Sequence, residues 1–319
     1  MTSKIGRAGT HALYDPDQAR ADAQEHFSSH LTAARQIVRE SADLLLRAFS
    51  TTPDVGVMEM VILGHFFRSL VVAADGCLLC LEAGAAEQAL LHTRKALETG
   101  LQLQWILRAD TESRATRFYV GHLREERSWY RRAIPGSPEH DDHVAAWKAA
   151  DDPGPEMDEA EATRAIASTD AILARPVFAE IDEWFSEAKV AHARRKGITP
   201  EPLWHAVGPD AVSNLRRMSQ AVGRYTEYRT TYRHLSYAVH SSSLSSSVRV
   251  KSSELRMEHI RFPRHFSLAF VHGFTELVSR AKDVAIRYRP EEVEDWKARA
   301  RRDWYGPISR MITFTTPHE

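Results

Sequence analysis

Phe27, Leu31, Ala34, Val38, Leu45 and Phe49 recur at steps of three and four residues or multiples of them, and the same period runs through every long apolar segment of the chain. Strand-like alternation is nearly absent. A period near 3.6 buries one stripe per segment and leaves a helix no stable option but to pack on other helices. The expectation is therefore an all-α fold, an antiparallel helical bundle with an inserted subdomain of short helices.

Four helices are expected first: about 17–49, a second carrying Val57, Val61, Phe67, Leu70, Val71, Leu78 and Leu81, a third over 86–108 and a fourth over 111–134. Ala83-Gly84 supplies a turn between the second and third, and Pro135-Gly136-Ser137-Pro138 stops the fourth. With short connections these four form the natural kernel of a bundle. Residues 135–209 differ in character, holding the acidic or proline-rich stretches SPEHDDH and DDPGPEMDEAE and the irregular segment ITPEPLWHAVGPD. The organisation read from this is an N-terminal half of the bundle at 1–134, a helical insertion at 135–209, and a C-terminal half at 210–319. Asp210 is expected to cap the helix that resumes the bundle, with Pro263 opening the last core helix and Pro290 ending it. The serine-rich stretch around Val248-Arg249-Val250 is the one place compatible with a short strand.

The 319 residues carry a formal net charge of -1, so no global field recruits nucleic acid or an anionic membrane, and any RNA contact needs a local basic patch. No 18-residue apolar run is free of charge. The best candidate, Val55 to Leu81, is interrupted by Glu59, His65, Arg68 and Asp75. The N-terminus lacks the apolar centre of a secretory signal. The resulting expectation is a soluble, cytoplasmic protein that does not enter a membrane. Cys77 and Cys80 sit in an apolar helical run and read as buried thiols, because no second pair completes a zinc site.

A glycine-rich phosphate loop, GxSxG, HExxH and calcium-loop spacing are all absent. Glu201 and His205 have ExxxH spacing, but Pro202 lies between them and no further carboxylates complete a metal centre. Neither a metal nor an organic cofactor is expected.

Two constellations could carry chemistry. In LLHTRKALETGLQLQWIL, Arg94 shares a face with Leu90, Leu97, Leu101 and Trp105, with Glu98 four residues on. A guanidinium on an apolar stripe needs partners; either Glu98 satisfies it, or Arg94 meets an anionic ligand. In RYTEYRTTYRHLSYAVH, Tyr225, Tyr228, Tyr232, Leu235 and Val239 form a core-like stripe, and Arg233 and His240 lie two turns apart at nearly one azimuth, with Ser236 and Tyr237 between them. An Arg that holds a phosphate beside a His that titrates near neutral pH is what metal-free ribonucleolysis requires. Arg229 and His234 repeat a similar spacing within the same helix. The basic runs Arg194-Arg195-Lys196 and Lys297 to Arg302 are further candidates for RNA contact.

The stretch Arg233-His234-Leu235-Ser236-Tyr237-Ala238-Val239-His240 resembles the motif of HEPN ribonucleases. The resemblance implies an all-α enzyme of the toxin or defence kind, homodimeric, with Arg233 and His240 catalytic and His234 supporting. Arg94, Glu98 and Trp105-Ile106 on one helix, with Tyr232, Ser236 and His240 on a later one, resemble an uncharacterised bacterial all-helical family, domain-of-unknown-function family 5677, over roughly residues 55 to 285 outside the insertion. That second resemblance implies a bundle and no activity. Together they suggest one site in which Arg94 and Glu98 face Tyr232, Ser236 and His240. A non-catalytic binding or scaffold protein with a buried polar network is the alternative, and a small-molecule enzyme using the same cavity is a third.

Overall fold

The computed structural model describes residues 13–50, 55–152, 154, 157–196, 200–239, 248–251, 254–257, 260–261 and 265–309. The fold is all-α. Its helices are α1 (Pro16–Phe49), α2 (Val57–Glu82), α3 (Ala86–Arg108), α4 (Thr111–Arg131), α5 (Pro138–Ala149), α6 (Glu159–Leu173), α7 (Pro176–Lys196), α8 (Leu215–Ala221), α9 (Tyr225–Glu227), α10 (Arg233–Val239), α11 (Phe266–Tyr288), α12 (Val293–Arg299) and α13 (Tyr305–Ser309). One antiparallel pair, β1 (Val248–Lys251) and β2 (Glu254–Met257), sets Val248 opposite Met257 and Val250 opposite Leu255, at the one stretch where a strand was expected.

Two compact units divide at 55/56, 62/63, 108/109 and 218/219. The first contains α1, α3, α9 to α13, the strand pair and α2 from Leu63 onward. The second contains Gly56–Ile62 and Ala109–Met218, so the inserted region begins before α4 and ends within α8, a wider span than 135–209.

In the first unit α11 packs against both α3 and α1. This corrects the expected kernel: α11, not α4, joins α1 to α3. The reason lies in its stripe, since Phe266, Phe270, Phe274, Leu277, Ala281 and Val284 are all at most 1% exposed. Phe27 of α1 stacks on Phe266 with ring centroids 3.8 Å apart, and Cys77 of α2 is fully buried whereas Cys80 is half-buried. Burial pushes the Cys77 thiol up to about 12. The turn at Gly84 has φ +70, and a Cβ there would collide with the Ala19 carbonyl, so this is a position only glycine fits. Helix α2 is long and apolar enough to cross a membrane, with half of its most apolar window buried inside the protein; a core helix meets the same criterion.

In the second unit α4 gathers Val120 and Leu123 with Leu173, Phe178, Ile181, Phe185 and Val207 into one core. The same helix turns three arginines inward. Arg114 and Arg117 share Asp210, and Arg117 also donates to the Val207 carbonyl at 2.8 Å. Arg124 reaches Glu201 at 2.8 Å and Asp182 at 2.5 Å. Buried guanidiniums on an amphipathic helix demand acceptors, and the segment 201–210 together with Asp182 of α7 supplies them. Arg114, in the first turn of α4, is thus buried at an ion pair. Asp210 caps nothing: α8 starts five residues later, where Asn214 Oδ1 accepts from the Arg217 amide at 2.9 Å.

Candidate functional site

Helix α3 places Leu90, Leu97, Leu101 and Trp105 in the core and Arg94 beside them, its side chain 19% exposed. One turn on, Glu98 accepts from Arg94 Nε at 3.0 Å. From the other wall of the site Tyr232 completes a closed triangle. Arg94 Nη2 donates to the Tyr232 hydroxyl at 3.1 Å, and that hydroxyl donates to Glu98 Oε1 at 2.7 Å. The guanidinium also lies over the Tyr232 ring, 5.2 Å from its centroid, and Tyr228 stacks on Tyr232 at 4.8 Å. Burial, and then the bond donated to Glu98, push the Tyr232 phenol up to about 12. Arg94 Nη1 is buried without a hydrogen-bond partner among the described residues.

The segment that carries Tyr232 is not a plain α-helix. A π-helical turn, Tyr228–Tyr232, separates α9 from α10, and such turns concentrate at functional sites. Through it Thr231 and Leu235 are buried and Tyr232 is half-buried against α3, while Arg233 and His234 are exposed. The structure therefore brings Arg94, Glu98 and Tyr232 together and leaves Arg233 and His234 outside that cluster. Adjacent residues on a helix differ by about 100° in azimuth, so Tyr232 and Arg233 cannot face one groove. Ser236 is half-buried one turn further and takes no part in the triangle. His240 lies outside the described residues. The His234 ring approaches His265 at 6.5 Å between centroids.

A second network lies in the same unit. Arg224 donates to Glu227 Oε2 and Oε1, each at 2.7 Å, and to Glu276 Oε1 at 2.9 Å. Glu276, 3% exposed, also holds Arg280 at 3.4 Å, and Arg280 reaches Asp283 at 3.1 Å. Burial opposes the charge on Arg224, but Glu276 and Glu227 outweigh it, and its pKa lies above the ordinary guanidinium value. His272, one turn before Glu276, is lowered mainly by burial, against the pull of Glu227. Sequence reasoning missed this network. The available signal was the i, i+4 pair Glu276 and Arg280 inside the most apolar late helix.

Gly100 exists because of that network: a Cβ there would run into the Glu276 carboxylate, which two arginines hold in place. A glycine-to-alanine change inside a helix ordinarily stabilises by about 0.5–1 kcal/mol. Gly100→Ala is expected to do the opposite and cost about 1–3 kcal/mol, read as a lower urea midpoint.

The other candidates are engaged elsewhere. Glu201 and His205 do not converge on a metal: Glu201 pairs with Arg124 and Lys189, and His205 Nδ1 contacts the Val212 carbonyl oxygen at 2.6 Å. In the basic run near the C-terminus, Lys297 pairs with Glu294, Arg299 with Glu40 and Arg302 with Asp303. Arg194 is exposed; the side chains of Arg195 and Lys196 lie outside the described residues.

Among known proteins, the model of a family of unknown function, DUF5677, matches residues 59–256. That span holds Arg94, Glu98, Tyr232, Arg233 and His240 and excludes Glu276. No curated protein and no solved structure matches the chain.

Proposed function

We propose that this chain, which belongs to the DUF5677 family of unknown function, is a HEPN-like, metal-independent endoribonuclease of the toxin or defence kind, acting as a cytoplasmic homodimer. One observation carries the reading. Arg233 is exposed on a helix whose opposite side is held by Leu235, Thr231 and the Tyr232–Arg94–Glu98 triangle, so a cation faces solvent from a fixed backbone.

In this reading Arg233 holds the scissile phosphate of single-stranded RNA and His240 takes the proton of the ribose 2′-hydroxyl. The 2′-oxygen attacks the neighbouring phosphorus, the bond to the 5′-oxygen breaks, and the leaving oxygen is protonated by the imidazolium or by water. The products are a 2′,3′-cyclic phosphate and a 5′-hydroxyl. Arg233 supplies the charge that a metal would otherwise supply as negative charge builds on the phosphate. His234 supports the site from the solvent side. The test is incubation of purified protein with single-stranded RNA in the presence of EDTA, followed by analysis of the ends.

The closed triangle supports a second reading, a non-catalytic helical scaffold in which Arg94, Glu98 and Tyr232 lock helix register. Under either reading Arg94→Met leaves Glu98 with the phenol alone and is expected to lower stability by about 1–3 kcal/mol. Replacing Arg94 and Glu98 together by apolar residues should recover much of that loss. Thermal unfolding of the single and double variants measures both. A scaffold predicts intact RNA in the assay above.

A further inference from the structure

Arg229 and Arg233 stand one helical turn apart, and both are exposed. An ordinary α-helix would set them about 40° apart in azimuth. The π-turn Tyr228–Tyr232 contains Arg229 and ends immediately before Arg233. Neither forms an ion pair among the described residues. Arg94, Arg114, Arg117, Arg124 and Arg224, in contrast, are each held by a carboxylate. Two like charges at this spacing repel, and an anion lying along both relieves the repulsion.

An aromatic ring supports one of these cations. The Arg229 guanidinium lies over the Tyr225 ring, 6.0 Å from its centroid, which steadies it above the surface, and Tyr228 is stacked on Tyr232. Exposed cations in a row that can track a phosphate backbone are the electrostatic part of the chemistry by which single-stranded nucleic acid is held. The rise between Arg229 and Arg233, about 6 Å along the helix axis, is comparable to the separation of neighbouring phosphates on an extended strand.

We infer that Arg229 is a second phosphate-binding residue of the site, taking the phosphate next to the one at Arg233, so that the ligand is a single strand of RNA lying along the π-turn and α10. The inference rests on the ribonuclease reading of Arg233.

The experiment measures binding of a short single-stranded RNA with 2′-O-methyl riboses, which cannot be cleaved through the 2′-oxygen, across a salt series. Wild type, Arg229→Gln, Arg229→Lys and Arg233→Gln are compared, with thermal unfolding confirming that each is folded. Arg229→Gln should weaken binding severalfold at low salt and reduce the slope of log affinity against log salt by about 0.7, the loss of one phosphate contact on a single strand. Arg229→Lys should keep most of the slope. Unchanged affinity and slope in Arg229→Gln, alongside a loss in Arg233→Gln, would overturn the role of Arg229 and leave the ribonuclease reading intact. A wild type that does not bind, or variants that all bind like wild type, would overturn both.

Discussion

Glu276→Ala is expected to cost about 3–5 kcal/mol of stability. The carboxylate is 3% exposed and is shared by Arg224 and Arg280. Its removal leaves two guanidiniums in low dielectric with the more exposed Glu227 and Asp283 as their remaining carboxylate partners among the described residues. Most of the cost is the penalty for an undercompensated buried charge rather than the worth of one contact. Replacing Glu276 by Leu and Arg224 by Met together should therefore be milder than Glu276→Ala alone. Urea unfolding at unchanged m separates the two cases, and a single variant as stable as wild type would mean that the network is hydrated.

Arg233→Ala is expected to lower the rate of RNA cleavage by about 100- to 1000-fold while leaving the unfolding midpoint within about 0.5 kcal/mol of wild type. The asymmetry follows from its position. An exposed side chain without an ion pair contributes little to packing, whereas a cation at a phosphate acts when negative charge develops there. The Arg94→Met variant should show the reverse emphasis, losing stability first. Single-turnover cleavage paired with thermal unfolding on the same preparations reads both quantities. A large stability loss in Arg233→Ala would place that side chain inside the fold and remove the basis for its role.

The helices were legible because their apolar stripes repeat faithfully: α3 and α11 lie where the sequence places them, and Leu90, Leu97, Leu101 and Trp105 are buried as expected. So was the pairing of Arg94 with Glu98, a local i, i+4 contact on such a stripe. The meeting of Tyr232 with that pair was suggested by the family resemblances and not by periodicity. What periodicity did not foresee is the irregular stretch of helix between Tyr225 and Arg233. Periodicity assigns a face to each residue only if the helix stays regular, and no side-chain pattern announces the i→i+5 turn at Tyr228–Tyr232. The Arg224–Glu276 network escaped because its members are brought together by packing across the fold. The division of the chain was misplaced for a similar reason. Helix α4 has an ordinary amphipathic pattern, and its apolar partners and the buried pairs from Arg114, Arg117 and Arg124 to 182–210 reveal which unit it serves.

The central claim is tested most directly by one comparison: wild type and His240→Ala, with EDTA present, acting on a single-stranded RNA and on the same strand carrying a single 2′-deoxyribose at the cleaved position. The account predicts that wild type cuts the RNA to a 2′,3′-cyclic phosphate and a 5′-hydroxyl and spares the deoxy-substituted bond. It also predicts that folded His240→Ala cuts neither, as expected when a general base worth about 100- to 10,000-fold in rate is removed. Cleavage of the deoxy-substituted bond, cleavage by His240→Ala at the wild-type rate, or a folded wild-type protein that leaves RNA intact would contradict it.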